Sequence, residues 1–176
     1  MTTVEKVPPM TDVEPSDLRR AMGRFTTGVG LVMTETDAGP HGATINSLTW
    51  VSLEPPIILI SLATASRAAR YVREAGAYSV SILGARQARI ASAFAKPGGG
   101  KFEGLEVHRG ASGLPVAPRA LCTLECSVER EIEVGDHVIL LGRVHSVQHR
   151  VGEPLAFYSG RFGNFVDPDG ELDIWL

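Results

Sequence analysis

The chain has 176 residues, of which 44% are hydrophobic and 21% charged, which is typical of one globular domain and excludes a wholly disordered chain. Its formal net charge of −3 excludes a global positive field that would hold nucleic acid or an anionic membrane. No apolar run approaches the roughly 20 residues of a spanning helix, and residues 1–16 lack the apolar stretch of a secretory signal. A cytoplasmic protein is expected, with neither nucleic acid nor a membrane as its partner.

The N-terminal part predicts an arm followed by a short helix. Residues 1–16 are rich in proline and show little apolar periodicity, so we expect a flexible arm there. Ser16 can cap a helix, which Gly28 and Gly30 would end. One face of this helix would carry Leu18, Ala21, Met22 and Phe25.

The following segments predict a hairpin and a buried strand. Residues 29–36 and 41–46 read as two strands around a turn at residues 37–40. After two prolines, residues 57–62 form a short apolar run with the character of a buried strand.

The middle of the chain mixes helices and a strand. Ser66 is expected to cap a helix that runs to about residue 75. Residues 77–83 alternate as a strand does, and residues 86–94 predict a second helix. Residues 97–100 form a glycine-rich break, which we interpret as a loop.

The C-terminal half is dominated by strands. Residues 120–134 and 137–147 flank a Gly-Asp pair and predict a long antiparallel hairpin, and residues 155–158 predict a last short strand. Long strands joined by tight turns favour a closed antiparallel barrel, whose ends the helices would cover, over a doubly wound parallel sheet.

Spacing excludes several kinds of site. The glycine motif of Rossmann folds, the P-loop and the nucleophile elbow are all absent from the sequence. Cys122 and Cys126 would lie roughly 13 Å apart on a strand, too far for a disulfide, and are interpreted as small buried hydrophobes. His145 and His149 have the same spacing without a helix, so no metal site is expected.

A first polar cluster precedes the buried strand. Its hydroxyls and amide could hydrogen-bond a planar heterocycle or a polyol. The alternative is that they only cap and turn the chain, and the spacing alone favours this alternative. The cluster comprises Thr44, Asn46, Ser47, Thr49 and Ser52.

A second cluster lies where the next helix begins. Ser61, Ser66 and Arg67 combine hydroxyls, a guanidinium and the free N–H groups of a helix N-terminus, which together suit a phosphate. An ordinary cap beside a solvent-facing arginine explains the same residues equally well.

A third group lies near the C-terminal strands. His137 follows the bend of the long hairpin, where it is exposed enough to meet a ligand. Tyr158 and Arg161 flank Gly160 and could stack on or pair with an anionic ligand. Each of these residues can also be explained without a ligand, as an ordinary turn, edge-strand or surface residue.

Several segments carry a family resemblance when taken together and in order. They are LRRAMGRFTTGVGLVMT, HGATINSLTWVSLEPPIILISL, AYSVSIL, KFEG, GLPV, LECSV, GDHVILLGRV and PLAFYSGRFG. From about residue 18 to residue 165 the chain resembles the flavin reductase-like family, which includes the short-chain flavin reductases of two-component flavin-dependent monooxygenases.

The resemblance implies a mainly β fold: a six-stranded antiparallel Greek-key split barrel, the FMN-binding split barrel, with a few short flanking helices. The domain would span residues 17–166, between the arm of residues 1–16 and a C-terminal tail of residues 167–176. Members of the family are usually homodimers with flavin near the subunit interface.

The resemblance also implies roles for individual residues. Thr44, Asn46 and Ser47 match positions that contact the isoalloxazine ring and ribityl chain, with Ser52 nearby. Ser61, Ser66 and Arg67 match the phosphate end, although the usual threonine is replaced by Ala68. Lys101 and Phe102 match a further flavin-proximal segment. His137 matches a nicotinamide-positioning residue, and Tyr158 and Arg161 line the same region.

The implied function is NAD(P)H-dependent reduction of FMN or FAD by hydride transfer to flavin N5, with reduced flavin passed to a separate monooxygenase. Two alternatives stay open at this point: a flavoprotein that keeps its flavin and acts on another acceptor, and a non-catalytic split-barrel protein that binds flavin or haem. FMN against FAD, and NADH against NADPH, are also open.

Overall fold

The computed structural model describes residues 11–96, 98, 102 and 106–165. The first ten residues, the predicted tail of residues 167–176 and Lys101 therefore lie outside the described residues. Three α-helices are described: α1 (Pro15–Met22), α2 (Arg67–Ala75) and α3 (Ala88–Ala95), the last preceded by a 3-10 turn (Ala85–Gln87).

Strands make up most of the remaining described chain. They are β1 (Thr27–Gly28), β2 (Gly30–Thr36), β3 (Gly39–Ile45), β4 (Thr49–Leu53), β5 (Pro56–Ala63), β6 (Ala77–Ile82), β7 (His108–Arg109), β8 (Pro115–Val116), β9 (Cys122–Val134), β10 (His137–His149), β11 (Leu155–Tyr158) and β12 (Arg161–Asn164).

The main sheet has seven strands in the order β3-β2-β6-β9-β10-β5-β4, and every pairing in it is antiparallel. A three-stranded sheet, β1-β11-β12, and a two-stranded sheet, β7-β8, complete the fold. The mainly β class and the antiparallel hairpins are confirmed, whereas the number of strands exceeds the expected six. The additional main-sheet strand, β4, is largely exposed and so lacks the alternating pattern that reveals a half-buried strand.

Two apolar clusters fill the interior on opposite sides of β2. Val32 faces a cluster that α2 closes, together with buried residues such as Ile60 and Leu140. Leu31 and Met33 face a second cluster that α3 closes with Phe94. Because successive side chains of a strand point to opposite faces, β2 contributes to both clusters and is buried over its first five residues.

The two helix starts differ from each other. Ser66 caps α2 as predicted, since its Oγ accepts a hydrogen bond of 3.1 Å from the N–H of Ala69. The predicted cap of α1 is wrong: the cap position is Glu14, and Ser16 lies inside the helix because Pro15 takes the first position. The helix also ends earlier than predicted, at Met22, and none of its residues is buried.

Tyr78 and Gly142 form an unusually close contact in the interior. A Cβ built on Gly142 would overlap the phenolic oxygen of Tyr78, so only glycine fits there. The Tyr78 hydroxyl is buried and has no hydrogen-bond partner within the described residues. Burial also raises the pKa of Tyr78 above its ordinary value.

This contact predicts opposite effects of two substitutions. Tyr78→Phe should raise the free energy of unfolding by about 1 kcal/mol, because it removes a desolvated hydroxyl that has no partner. Gly142→Ala should lower it by about 2 kcal/mol through overpacking. Urea titrations followed by circular dichroism measure both, and a clear loss of stability in Tyr78→Phe would mean that the hydroxyl has a partner.

Candidate functional site

A cavity of about 430 Å³ opens between residues 25–30 and the turn that joins β3 to β4. Asn46, Ser47 and Thr49 line one side, and Thr27 and Gly28 line the other. The side chain of Asn46 is exposed and makes no hydrogen bond with any other described residue. Its amide is therefore available to a ligand.

The predicted hydroxyls beside this cavity are used within the chain. Thr44 Oγ1 donates to the carbonyl oxygen of Ala91 at 2.7 Å and so ties β3 to α3. Ser47 Oγ donates to the carbonyl oxygen of Ser61 at 2.8 Å and accepts from the Ser61 N–H at 3.2 Å. These bonds bring Ser47 and Ser61 together and fix the turn against β5. Contact of these residues with flavin stays a prediction.

Thr27 is a cavity residue that sequence reasoning did not single out. Its Oγ1 is buried and has no hydrogen-bond partner in the part of the chain that the structure describes. Thr27 belongs to a two-residue strand, which carries no periodic signal, although it lies inside the first of the segments on which the family resemblance rests. Next to it, a Cβ built on Gly28 would meet no heavy atom within 4 Å.

A second cavity, of about 400 Å³, lies at the start of α2. Ser66 and Arg67 line it, and Arg67 Nη2 donates to the carbonyl oxygen of Gly98 at 3.1 Å. Arg73, further along the helix, lies 2.7 Å from Glu131 and is neutralised by it. The positive end of the α2 dipole and Arg67 together favour an anion in this cavity.

His137 is the first residue of β10 and pairs with Ala63, the last residue of β5. Its Nδ1 lies 2.8 Å from Asp136 Oδ1, and this hydrogen bond holds the pKa of Asp136 below its ordinary value. The carbonyl oxygen of Asp136 accepts the N–H of Thr64 at 3.0 Å. Since Thr64 lines the α2 cavity, the structure places His137 beside the Ser66–Arg67 group.

Tyr158 and Arg161 line a third cavity, of about 460 Å³, on the β11–β12 hairpin. Arg24 donates to the Tyr158 hydroxyl at 3.4 Å, which connects this hairpin to the end of α1. Thr26 lines both this cavity and the Asn46 cavity, so the two adjoin. Within one chain, the Ser66–Arg67 group beside His137 and the Tyr158–Arg161 pair line different cavities.

The remaining predicted residues lie apart from these cavities. Ser52 pairs with Ile57 on β5. Ile57 comes four residues before Ser61 on that strand, so Ser52 lies roughly 13 Å along the strand from Ser61. Phe102 packs edge-on against Phe94, with ring centroids 4.9 Å apart. Their flavin contacts, and that of Lys101 outside the described residues, stay predictions.

Several other kinds of site are not found. Among the described residues there is no helix of the length and apolar character needed to cross a membrane. The same residues contain no group of three or more side chains suited to holding a metal ion. Cys122 and Cys126 are free thiols, and burial raises the pKa of Cys126 to about 12, so it is a poor nucleophile.

The antiparallel fold carries surface cavities with unpaired polar groups, which suit a cofactor with a ring system and a phosphate. Comparison with known proteins identifies the class more closely: the sequence model of the flavin reductase like domain matches residues 22–165. The chain belongs to the flavin reductase-like family.

The match with each of two relatives covers most of that relative's length. The chain is 36% identical over 154 residues to the reductase component of 4-nitrophenol 4-monooxygenase/4-nitrocatechol 2-monooxygenase from Rhodococcus opacus, covering 88% of this chain and 83% of that protein. It is 39% identical over 147 residues to the FMN reductase (NADH) SmoA from Agrobacterium fabrum, covering 84% of each chain.

Solved structures agree with the fold. The flavin reductase PheA2 superposes with a TM-score of 0.80 at 30% identity, covering 88% of this chain and all (100%) of that one. The NADH:FAD oxidoreductase SgcE6 of Streptomyces globisporus superposes with a TM-score of 0.81 at 36% identity, covering 91% of this chain and 100% of that one. The expected fold class and family are both confirmed.

The residues of the Asn46 cavity fit a flavin. An isoalloxazine ring is planar with a polar edge, so it needs an open apolar slot and a few hydrogen-bonding groups. Gly28 leaves space beside the backbone, while the exposed Asn46 amide offers hydrogen-bonding groups that have no partner among the described residues.

Asn46→Ala should weaken FMN binding about tenfold, because the amide would lose hydrogen bonds that only a ligand can make. Fluorescence titration with FMN measures this affinity. Gln148→Ala, which removes an exposed amide from β10, is the matched control and should bind FMN as the unsubstituted chain does. If both variants bind FMN with equal affinity, Asn46 does not contact the flavin and has only a structural role in the turn.

Proposed function

We propose that this chain is an NAD(P)H:flavin oxidoreductase that reduces FMN or FAD and supplies reduced flavin to a separate flavin-dependent monooxygenase. The observation that carries the proposal is the open, mainly apolar Asn46 cavity, with the unpaired Asn46 amide beside it, in a chain of the flavin reductase-like family. The relatives named above as an FMN reductase and as the reductase component of a monooxygenase support the activity and the kind of partner.

Bound flavin supplies the redox chemistry, since its N5 accepts a hydride from C4 of reduced nicotinamide. The chain's own task is to hold two planar groups at reacting distance and to orient them. Thr44, Asn46 and Ser47 would hold the ring and the ribityl chain. Ser61, Ser66 and Arg67 would hold the phosphate end, with Ser52, Lys101 and Phe102 as further flavin-binding candidates. His137, Tyr158 and Arg161 would position the nicotinamide.

NADH is the proposed hydride donor because of the relatives, since SmoA is named as an NADH enzyme. The arginines do not select between NADH and NADPH. Arg73 is paired with Glu131 and Arg109 with Glu35, but Arg67 and Arg161 line cavities without an ion pair among the described residues and could meet a 2′-phosphate.

A homodimer is part of the same proposal. Trp50 and Leu53 on β4 are 72% and 80% exposed, and large apolar side chains on one edge strand mark an interaction surface. Trp50 directly follows Thr49, which lines the flavin cavity, so a second copy seated on β4 would border that cavity. Sedimentation velocity should give twice the monomer mass, and a monomer at micromolar concentration would contradict the dimer.

Residues 17–166 are retained as the flavin reductase-like domain, between an arm of residues 1–16 and a tail of residues 167–176, in a cytoplasmic protein. Helix α1 begins at Pro15, two residues ahead of that boundary.

The test of function is oxidation of NADH and of NADPH by the purified chain, with and without added FMN, FAD or riboflavin, alongside its visible spectrum. A colourless preparation whose turnover depends on added flavin is the expected result. A yellow preparation that oxidises nicotinamide without added flavin would favour a flavoprotein that keeps its cofactor. No oxidation in any combination would overturn the reductase and favour a binding protein.

His137→Ala should raise the KM for NADH about tenfold with a smaller effect on flavin affinity, because the imidazole lies away from the Asn46 cavity. Asp136→Asn should shift the NADH KM in the same direction but less, since the His137 ring loses its charged partner at 2.8 Å. Steady-state kinetics at saturating flavin measures both. An unchanged KM in His137→Ala would remove this residue from the nicotinamide site.

A further inference from the structure

A fourth cavity, of about 730 Å³, lies outside the site described above. It opens between the 3-10 turn that precedes α3 and two segments at residues 118–121 and 152–153. It is larger than the flavin cavity of about 430 Å³ and shares no lining residue with it. The buried residue Leu83, which follows β6, separates the two cavities in the chain. The residue before it, Ile82, lines the flavin cavity, and the residue after it, Gly84, lines this one.

The walls of this cavity are held rigidly by a buried amide. Gln87 is only 9% exposed; its Oε1 accepts the N–H of Gly84 at 2.9 Å and its Nε2 donates to the carbonyl oxygen of Pro118 at 2.8 Å. The N–H of Ala85 donates to the carbonyl oxygen of Glu153 at 2.9 Å, which fixes the third wall. The cavity is therefore preformed by the fold.

Two exposed arginines line the cavity from different walls. Arg86 comes from the 3-10 turn and Arg119 from the opposite segment, and neither guanidinium has an ion pair or hydrogen bond with a described residue. Arg119 has a φ of 56°, a left-handed conformation that costs free energy for a residue other than glycine. Such strained backbone is concentrated at ligand-binding positions, where it fixes the direction of a side chain.

The charged residues in and around the cavity determine which kind of anion it would bind. Glu106 and Glu153 also line the cavity, and these carboxylates disfavour a polyanion such as a di- or triphosphate. Arg89, on the next turn after Arg86, adds further positive charge without an ion pair among the described residues. A single negative charge is therefore favoured over several.

The cavity also offers apolar surface. Ile90, Pro118 and Leu121 are half-buried and line it together with the two arginines. A planar guanidinium matches a carboxylate with two parallel hydrogen bonds, and the apolar side chains match a ring or branched body. We propose that this cavity binds an aromatic monocarboxylate, with Arg86 and Arg119 holding the carboxylate, as a second small-molecule site separate from the flavin site.

The test uses 4-fluorobenzoate as the probe, followed by ¹⁹F NMR on the full chain with saturating FMN. Saturable binding is expected for 4-fluorobenzoate and none for the neutral 4-fluorobenzamide. Arg86→Gln and Arg119→Asn should each weaken binding about tenfold, because each removes a charged hydrogen-bonding partner. Asparagine is chosen at residue 119 because it tolerates the left-handed conformation.

Arg20→Gln is the matched control, since it removes one exposed arginine from α1 and should leave the affinity unchanged. Absence of saturable binding overturns the proposal, as does equal binding by Arg86→Gln, Arg119→Asn and Arg20→Gln. Saturable binding that appears without FMN and is lost at saturating FMN also overturns it, because the probe would then occupy the flavin cavity. Thermal melting of each variant separates a loss of the site from a loss of the fold.

Discussion

The register between β5 and β10 determines both the interior of the barrel and the surroundings of His137. It pairs His137 with Ala63 and places Val138 and Leu140 on the buried face. A slip of one residue would turn those two side chains outward and move His137 to the other face, at a large cost in buried apolar area. Because β5 leads directly to the start of α2, the same register brings His137 next to the anion-binding end of that helix.

Polar side chains around the candidate site have two distinct tasks. Thr44 and Ser47 bond to the backbone of neighbouring elements, and Ser47 thereby fixes one wall of the Asn46 cavity. Asn46 and Arg161 make no side-chain bond with other described residues and are free to meet a ligand. A rigid scaffold that presents a few unpaired groups costs little reorganisation on binding.

Local patterns predicted the elements that depend on local physics. The long β9–β10 hairpin and the Ser66 cap follow from alternation and capping chemistry, and the structure confirms them. Ser16 failed as a cap because the neighbouring Pro15 took the first helical position, and β4 was missed because an exposed strand does not alternate. The Arg86–Arg119 cavity joins segments distant in sequence, so only the tertiary structure reveals it. Roles for single site residues came from the family resemblance rather than from spacing.

Hydride transfer requires two planar groups in contact, and this requirement constrains how the cavities are used. The Asn46 cavity, of about 430 Å³, is the one proposed to hold the flavin ring, so the nicotinamide has to stack on that ring from an open side. One side lies across Thr26, toward the Tyr158–Arg161 cavity, and another lies across the Ser47–Ser61 contact, toward His137. Arg67, at the positive end of α2 on the His137 side, is already assigned to the phosphate of the flavin, whereas Arg161 has no ion pair among the described residues. In one chain, Arg161 is thus the cation open to the phosphates of the dinucleotide.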